Sequence, residues 1–284
     1  MKKYKIKKVG KDFKFIPEIN NKGTRKKRVV LDNKGNKAIF KYEMYNKGCS
    51  EACSEKLSYE IAKILEYECA HIELALDEND EIGILNYLFV NLHEEEHIDA
   101  ISYLKKNDET RSQFYTLDNI KKCLDMLDKE LFYQFLKIMV FDALVGEQDR
   151  HEENWGIMRI NGKYKLSPLY DNGCNLLREF RKEDFAIKYY NGLKNFDTYI
   201  KKSTTLIYKQ NGKRYKHFEL IEYLYNSYPN QIRKEILNLE KLTDSKIEDI
   251  VNKMPDNIIT IKHKEYIIRY IKTRKKILLN IINR

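Results

Sequence analysis

GEQDRHEENWGIM (residues 146–158), followed after a short interval by LSPLYDNG (166–173), is the stretch that decides the fold. Between the two pieces lies RINGKYK, and its Asn161-Gly162 pair is the strongest short signal for a two-residue β-turn, because both positions need a positive φ. Folding the chain about that turn sets Asn154 opposite Leu169 and Glu152 opposite Asp171. Adjacent strands lie about 4.8 Å apart, so Asn154 and Asp171 are expected as near neighbours across the open end of the hairpin. A carboxylate and an amide oxygen can then converge on one hard cation, a sparse Mg²⁺ site with room for phosphate oxygens.

Working outward toward the N-terminus, Leu131 to Val145 (LFYQFLKIMVFDALV) is apolar nearly all round, which predicts a helix at the centre of a lobe. Gly146 suits the residue that ends it. Asp149 follows in a loop whose start is fixed by that packing, five residues before Asn154. Phosphotransfer loops use this D-x-x-x-x-N spacing, because the Asp must reach an acceptor hydroxyl while the Asn holds metal. His151 is expected to organise the catalytic loop by hydrogen bonding, not to act as the base.

Further upstream, Arg28 to Asp32, a turn over Asn33 to Asn36, and Lys37 to Glu43 predict a β-hairpin in which Ala38 and Phe40 alternate with Ile39 and Lys41. Glu51 to Glu66 places Leu57, Ile61, Ile64 and Leu65 on one helical face. Strands are expected at His71 to Ala75 and Gly83 to Val90. A lysine on an inward strand face is costly to bury alone, and either Glu55 or Glu60 of the helix can answer it. NNKGTRKKR (20–28) supplies Gly23 and several cations where a phosphate-covering loop would lie.

With these residues in hand, DRHEEN with LYDNG resembles the catalytic and metal-binding segments of the HipA-like kinases. The D-R-H-x-x-N lettering is also similar to that of phosphatidylinositol 3- and 4-kinases. SEKLSYEIAKIL (54–65) resembles the family's helix opening, which implies Glu55 as the partner of Lys41. IGILNYLFV (82–90) looks like the strand leading to the adenine-binding hinge, near Tyr87, Leu88 and Phe89. The resemblance spans roughly Gly23 to Gly173 and implies a protein serine or threonine as acceptor, with autophosphorylation common. Two departures stand out. HipA-like toxins carry an extra N-terminal subdomain that meets a DNA-binding antitoxin, and only some twenty residues precede the expected phosphate loop here, which makes that contact doubtful. The family's loop serine has no evident counterpart, Thr24 being the nearest hydroxyl.

The whole chain agrees with this. Its 284 residues, 42% apolar, exclude global disorder, and a net charge of +10 suits phosphate-bearing partners. Cysteines at 49, 53, 69, 123 and 174 are odd in number and irregularly spaced, so neither a disulfide framework nor a zinc site follows, and a reducing, cytoplasmic setting is expected. No stretch approaches the roughly 18 apolar residues of a spanning helix. Four prolines and eleven glycines argue against a flexible linker, so any lobes must be closely packed. Lys264 to Asn283 predicts a helix whose stripe of Ile267, Tyr270, Ile271, Leu278 and Ile281 docks on the core in preference to a membrane surface. The TRKKR run is read as a solvated or phosphate-facing loop, so direct nucleic-acid binding is not expected. Histidines 71, 93, 97, 217 and 263 show no ligand spacing, and Ser203, Thr204 and Thr205 lie in a basic stretch after the DNG segment whose modification the sequence leaves open.

The expectation is an α+β, bilobal protein-kinase-like fold: a small β-rich N-lobe over 1–91 and a larger, mainly helical C-lobe over 92–284, with ATP between them. In it Asp149 serves as base, Lys41, paired with Glu55, holds the α/β-phosphates, and Asn154 and Asp171 hold Mg²⁺. The alternatives are a phosphoinositide-type lipid kinase and a catalytically silent binding module of the same fold.

Overall fold

The protein was analysed as a computed structural model, which describes residues 2–16, 26–43, 50–90, 95–106, 108–181, 192 and 195–283. Gly23, Thr24 and Cys49 lie outside the described residues, as does the expected lobe boundary at 91.

The N-terminal part is a six-stranded sheet and one helix. Its strands are β1 (Ile6–Lys8), β2 (Phe13–Phe15), β3 (Lys27–Asp32), β4 (Lys37–Tyr42), β5 (Ile72–Leu76) and β6 (Ile82–Tyr87), in the order β1-β5-β6-β4-β3-β2. All neighbours are antiparallel except β1 with β5. Alternation gives the sheet two faces. Phe13, Val30, Ala38, Phe40, Tyr42 and Leu85 form a small outer core. Ile72, Leu74, Ile82 and Ile84 join the main core instead, together with Leu57 and Ile61 of helix α1 (Glu51–Ile64). That helix starts under electrostatic control: the Glu43 carboxylate, one residue past β4, accepts from the backbone N–H groups of Glu51 (2.9 Å) and Ala52 (3.2 Å).

The rest is largely helical. Helices α2 (Ile101–Leu104), α3 (Arg111–Phe114) and α4 (Leu117–Asp125) lead to α5 (Lys129–Val145), whose last fifteen residues are buried almost throughout, as its composition requires. Asp128 caps its start by accepting from Glu130 N, and Gly146, at φ 74°, ends it in the left-handed conformation. A Cβ at Gly146 would also strike the Tyr270 hydroxyl, so glycine is required there twice over. The expected hairpin follows as β8 (Gly156–Ile160) and β9 (Lys163–Leu166), turning at Asn161 and Gly162 with φ of 49° and 78°. Strand β7 (Glu95–Asp99) adds to the other edge of β8.

Beyond this lie α6 (Phe196–Lys202), the short pair β10 (Thr204–Tyr208) and β11 (Arg214–Lys216), then α7 (His217–Ser227), α8 (Pro229–Asn238), α9 (Asp244–Asn252) and α10 (Ile261–Ile281). The α10 stripe Ile267, Tyr270, Ile271, Leu278 and Ile281 is buried in the main core, as expected. One core runs from α1 through α5 to α10. The N-terminal strand side is also strapped to the helical side, because Tyr4 N donates to Lys253 O (2.8 Å) and Lys3 pairs with Asp256. Among the described residues, no helix is long and apolar enough to cross a membrane.

Candidate active site

Lys41 lies on the inner face of β4, paired across the sheet with Ile84. Its ammonium, only 13% exposed, meets the Glu55 carboxylate at 3.2 and 3.3 Å and Asp171 Oδ1 at 2.9 Å. Burial pulls the Lys41 pKa down, but the charges of Glu55 and Asp171 outweigh it and leave the ammonium above its ordinary value. Of the two glutamates open to Lys41 in the sequence, Glu55 makes the pair. Glu60, one turn and a half further along α1, bonds Lys56 at 2.7 Å.

Asp171 arrives from the other side. After β9 the chain leaves β8 and pairs with 68–70, where Leu169 N donates to Glu68 O (2.9 Å) and Ala70 N to Leu169 O (2.8 Å). The segment is thereby held between the sheet and the helices. Asp171 itself has φ 53°, an uncommon conformation that concentrates at functional sites. The hairpin register matches the expectation as far as Ile157 facing Leu166 and Ser167 N donating to Gly156 O, but the ladder ends there, and Leu169 bridges to Cys69 in place of the expected pairing with Asn154.

What joins the two loops is Arg150. Its guanidinium forks onto Asp142 (Nε to Oδ2 3.1 Å, Nη2 to Oδ1 2.9 Å), and Nη1 donates to both Asn154 O and Tyr170 O at 2.9 Å. Nη2 also reaches Asn172 Oδ1. One buried cation therefore pins the carbonyls beside Asn154 and Asp171, its charge balanced by Asp142 from α5. Sequence reasoning gave loop organisation to His151 and overlooked this pair. The signal was present, however, as the lone acid in the apolar run before Gly146, eight residues ahead of an arginine. His151 does act locally: its Nδ1 accepts from Glu153 N (3.2 Å), its N–H donates to Asp149 O and its carbonyl accepts from Asn154 N.

Asn154 Nδ2 donates to Asp149 O (2.7 Å), which ties the amide to the loop that carries Asp149. Asp149 N donates to Glu147 Oε1 (2.9 Å), and the Cys174 thiol donates to Asp149 Oδ2 (3.5 Å). Glu147 is fully buried, and burial pushes its carboxyl up to about 8 despite Arg150 nearby. Asn175 Nδ2 donates to Glu147 Oε2 (3.0 Å) and exchanges hydrogen bonds with Ser58, while Ser54 Oγ donates to Asn175 O. The helix that carries Glu55 is thus tied to the loop that carries Asp149.

At the proposed hinge, the Tyr87 ring points to the outer face, against Phe13, and its hydroxyl donates to Glu73 (2.6 Å). Leu88 is exposed, with its N–H donating to Lys37 O (3.3 Å). Phe89 packs on His97 and Tyr170 with ring centroids 5.5 and 5.6 Å apart. The inner-face neighbour of Tyr87 is Asn86, which is buried beside Ile39 and escaped the sequence reading. Ser203 and Thr205 are buried as well.

Asn154 and Asp171 are the side chains whose hard oxygens could hold a metal; among the described residues no three His, Cys, Asp or Glu side chains gather into a metal site.

A strand lysine held by a helix glutamate and by an aspartate from the opposing lobe, on this α+β architecture, defines the bilobal kinase-like fold. Comparison with known proteins agrees. The chain belongs to the HipA-like C-terminal domain family, whose model matches residues 19–254. Among solved structures it is similar to the Helicobacter pylori proinflammatory kinase CtkA, at TM-score 0.76 and 18% identity, over 95% of this chain and 94% of that one. It is also similar to HipA of Shewanella oneidensis MR-1, solved with HipB and its operator DNA, at TM-score 0.59 and 12% identity, over 94% of this chain and 68% of that one. No curated protein matches the chain by sequence.

Proposed function

We propose that this protein is an ATP- and Mg²⁺-dependent kinase that transfers phosphate to a serine or threonine hydroxyl of a protein, itself included. The observation that carries the reading is Lys41 bridging Glu55 and Asp171, because two carboxylates from different parts of the chain converge on one buried ammonium. A lysine so held is oriented to meet the α- and β-phosphates, and binding them relieves its hold on Asp171. Asn154 and Asp171 would hold Mg²⁺, which when bound neutralises phosphate oxygens. Asp149 accepts the proton of the acceptor hydroxyl, with its backbone fixed by Glu147 and its carboxylate touched by Cys174. The adenine would lie against the segment Tyr87 to Phe89, with the buried Asn86 beside it, between an N-lobe of 1–91 and a C-lobe of 92–284. Positioning and charge compensation carry most of the rate. We place the protein in the cytoplasm, where its scattered cysteines stay reduced.

The test is transfer of labelled γ-phosphate from ATP with Mg²⁺, comparing wild type with Asp149→Ala and Asp171→Ala and locating the label by mass spectrometry. Label on Ser or Thr, lost in both variants, is expected. ATP binding without transfer to protein would point to a silent module, and transfer only to lipid vesicles would point to a lipid kinase.

A further inference from the structure

Arg274, in the middle of α10, is fully buried, and among the described residues no carboxylate forms an ion pair with it. Its place in the sequence already marks it, since it stands on the same helical stripe as Ile267, Tyr270, Ile271, Leu278 and Ile281. A guanidinium there must find other compensation. It takes it from helix ends: Nε donates to Ala143 O (2.8 Å), among the last carbonyls of α5, and Nη1 to Ile200 O (2.9 Å), near the end of α6. Both carry the partial negative charge of a helix C-terminus, and Ile200 O accepts in addition from the hydroxyl of the capping Ser203 (3.3 Å). The rings of Phe218 and Tyr270 lie 4.6 and 5.1 Å from the guanidinium carbon.

From Arg274 a line of hydrogen bonds runs to the loop that carries Asp149. Nη1 donates to Ser203 Oγ (2.7 Å); Ser203 Oγ lies 3.0 Å from His217 Nδ1; and His217 Nε2 lies 2.7 Å from Glu147 O. Donor logic fixes the direction. A carbonyl only accepts, so Nε2 carries the proton; burial and the Arg274 charge keep the ring neutral, so Nδ1 accepts from the Ser203 hydroxyl, whose proton is shared between Nδ1 (3.0 Å) and Ile200 O (3.3 Å). The carbonyl at the end of this line belongs to Glu147, whose own carboxyl oxygen Oε1 accepts from Asp149 N. Gly146, between α5 and Glu147, packs directly on Tyr270 of α10.

We infer that Arg274, Ser203 and His217 are positioning residues for Asp149: α10 fixes both the helix end from which the loop departs and the peptide on which Asp149 is hung. This rests on the phosphotransfer reading above. It also gives Ser203 a role as a buried relay hydroxyl, in place of an acceptor for modification.

The test uses the full chain with His217→Phe, which keeps the ring and removes both hydrogen bonds, and His217→Gln, which can again donate to Glu147 O. Two readouts are taken on protein that melts cooperatively: kcat and KM for ATP, and hydrogen exchange at the Asp149 amide against the amides of the β8–β9 hairpin, without nucleotide. For His217→Phe we expect kcat down by about tenfold to a hundredfold with KM for ATP within about twofold, the scale of a displaced catalytic group. Asp149 exchange rises by about tenfold or more while the hairpin is unchanged, and His217→Gln recovers part of both. A folded His217→Phe protein with wild-type kcat and wild-type Asp149 exchange overturns the inference. So does a loss that follows only the unfolded fraction, with hairpin and loop exchanging faster together. If wild type transfers no phosphate, the kinase reading fails while the exchange measurement still decides the relay.

Discussion

Arg150→Met puts the central clamp to a quantitative test. Arg150 and Asp142 are 4% and 3% exposed and joined by two hydrogen bonds of 2.9 and 3.1 Å, so deleting the cation strands a buried carboxylate. Breaking such a pair from one side costs about 3–5 kcal/mol. The carbonyls of Asn154 and Tyr170 and the amide oxygen of Asn172 also lose a donor, each a loss of about 1–3 kcal/mol if it stays dry. Partial relaxation of the loop reduces the sum, and we expect about 5 kcal/mol in all, a large share of the roughly 5–15 kcal/mol that holds a domain folded. Asp142→Leu is isosteric, so the double variant Asp142→Leu/Arg150→Met removes the stranded charge and leaves only the orphaned acceptors. It should be more stable than Arg150→Met by about 2–3 kcal/mol. Urea denaturation of the four proteins gives the coupling directly. Additivity within about 0.5 kcal/mol, or a cost below about 1 kcal/mol for Arg150→Met alone, would refute the reasoning.

Other outcomes are equally specific. Glu147 holds its proton up to about 8 when folded, against 4.5 for the ordinary side chain, so the folded state binds more protons between those values. Stability should therefore fall as pH rises through that window, by at most about 5 kcal/mol, and Glu147→Gln should flatten the slope in denaturation curves from pH 5 to 8. Lys41→Met should lower kcat at least about a hundredfold in the γ-phosphate assay, with Asp171 left without its ammonium partner. Gly146→Ala meets both a positive φ and the Tyr270 hydroxyl, and should cost about 2 kcal/mol or more by thermal denaturation. Phosphosite mapping of the labelled protein should find Ser203 and Thr205 unmodified, because both hydroxyls are buried and bonded.

The residues that the sequence reading placed well share a local cause. The β8–β9 register follows from Asn161-Gly162, since only a turn with two positive φ values satisfies those neighbours. The burial of α5 and of the α10 stripe follows from period and composition, and the spacing of Asp149 and Asn154 is itself a sequence fact. Strands β1, β2, β7, β10 and β11 were not anticipated. Three of them are three residues long, β7 reads as EEHID, and none carries an apolar alternation strong enough to announce itself, so their pairing is imposed by neighbours. The hinge was expected near Tyr87 to Phe89; strand parity, which the sequence alone did not orient, sets the Tyr87 ring on the outer face and Asn86 on the inner one.

By itself, then, the sequence determined the elements whose formation depends on near neighbours: the turn, the buried and striped helices, the Lys41 strand and the loop motif. Only the tertiary structure decided the long-range polar partnerships. Lys41 could have met Glu55 or Glu60, and the choice fell to Glu55 because α1 packs with that face to the sheet. Arg150 and Arg274 are charged letters in the sequence, and the helix ends, carbonyls and carboxylate that make each tolerable inside the core come from segments brought together only by burial of apolar surface. Hydrophobic periodicity states which face goes inward. It says nothing about which polar groups will be waiting there, because in a low-dielectric interior that is settled by the geometry of every surrounding element at once.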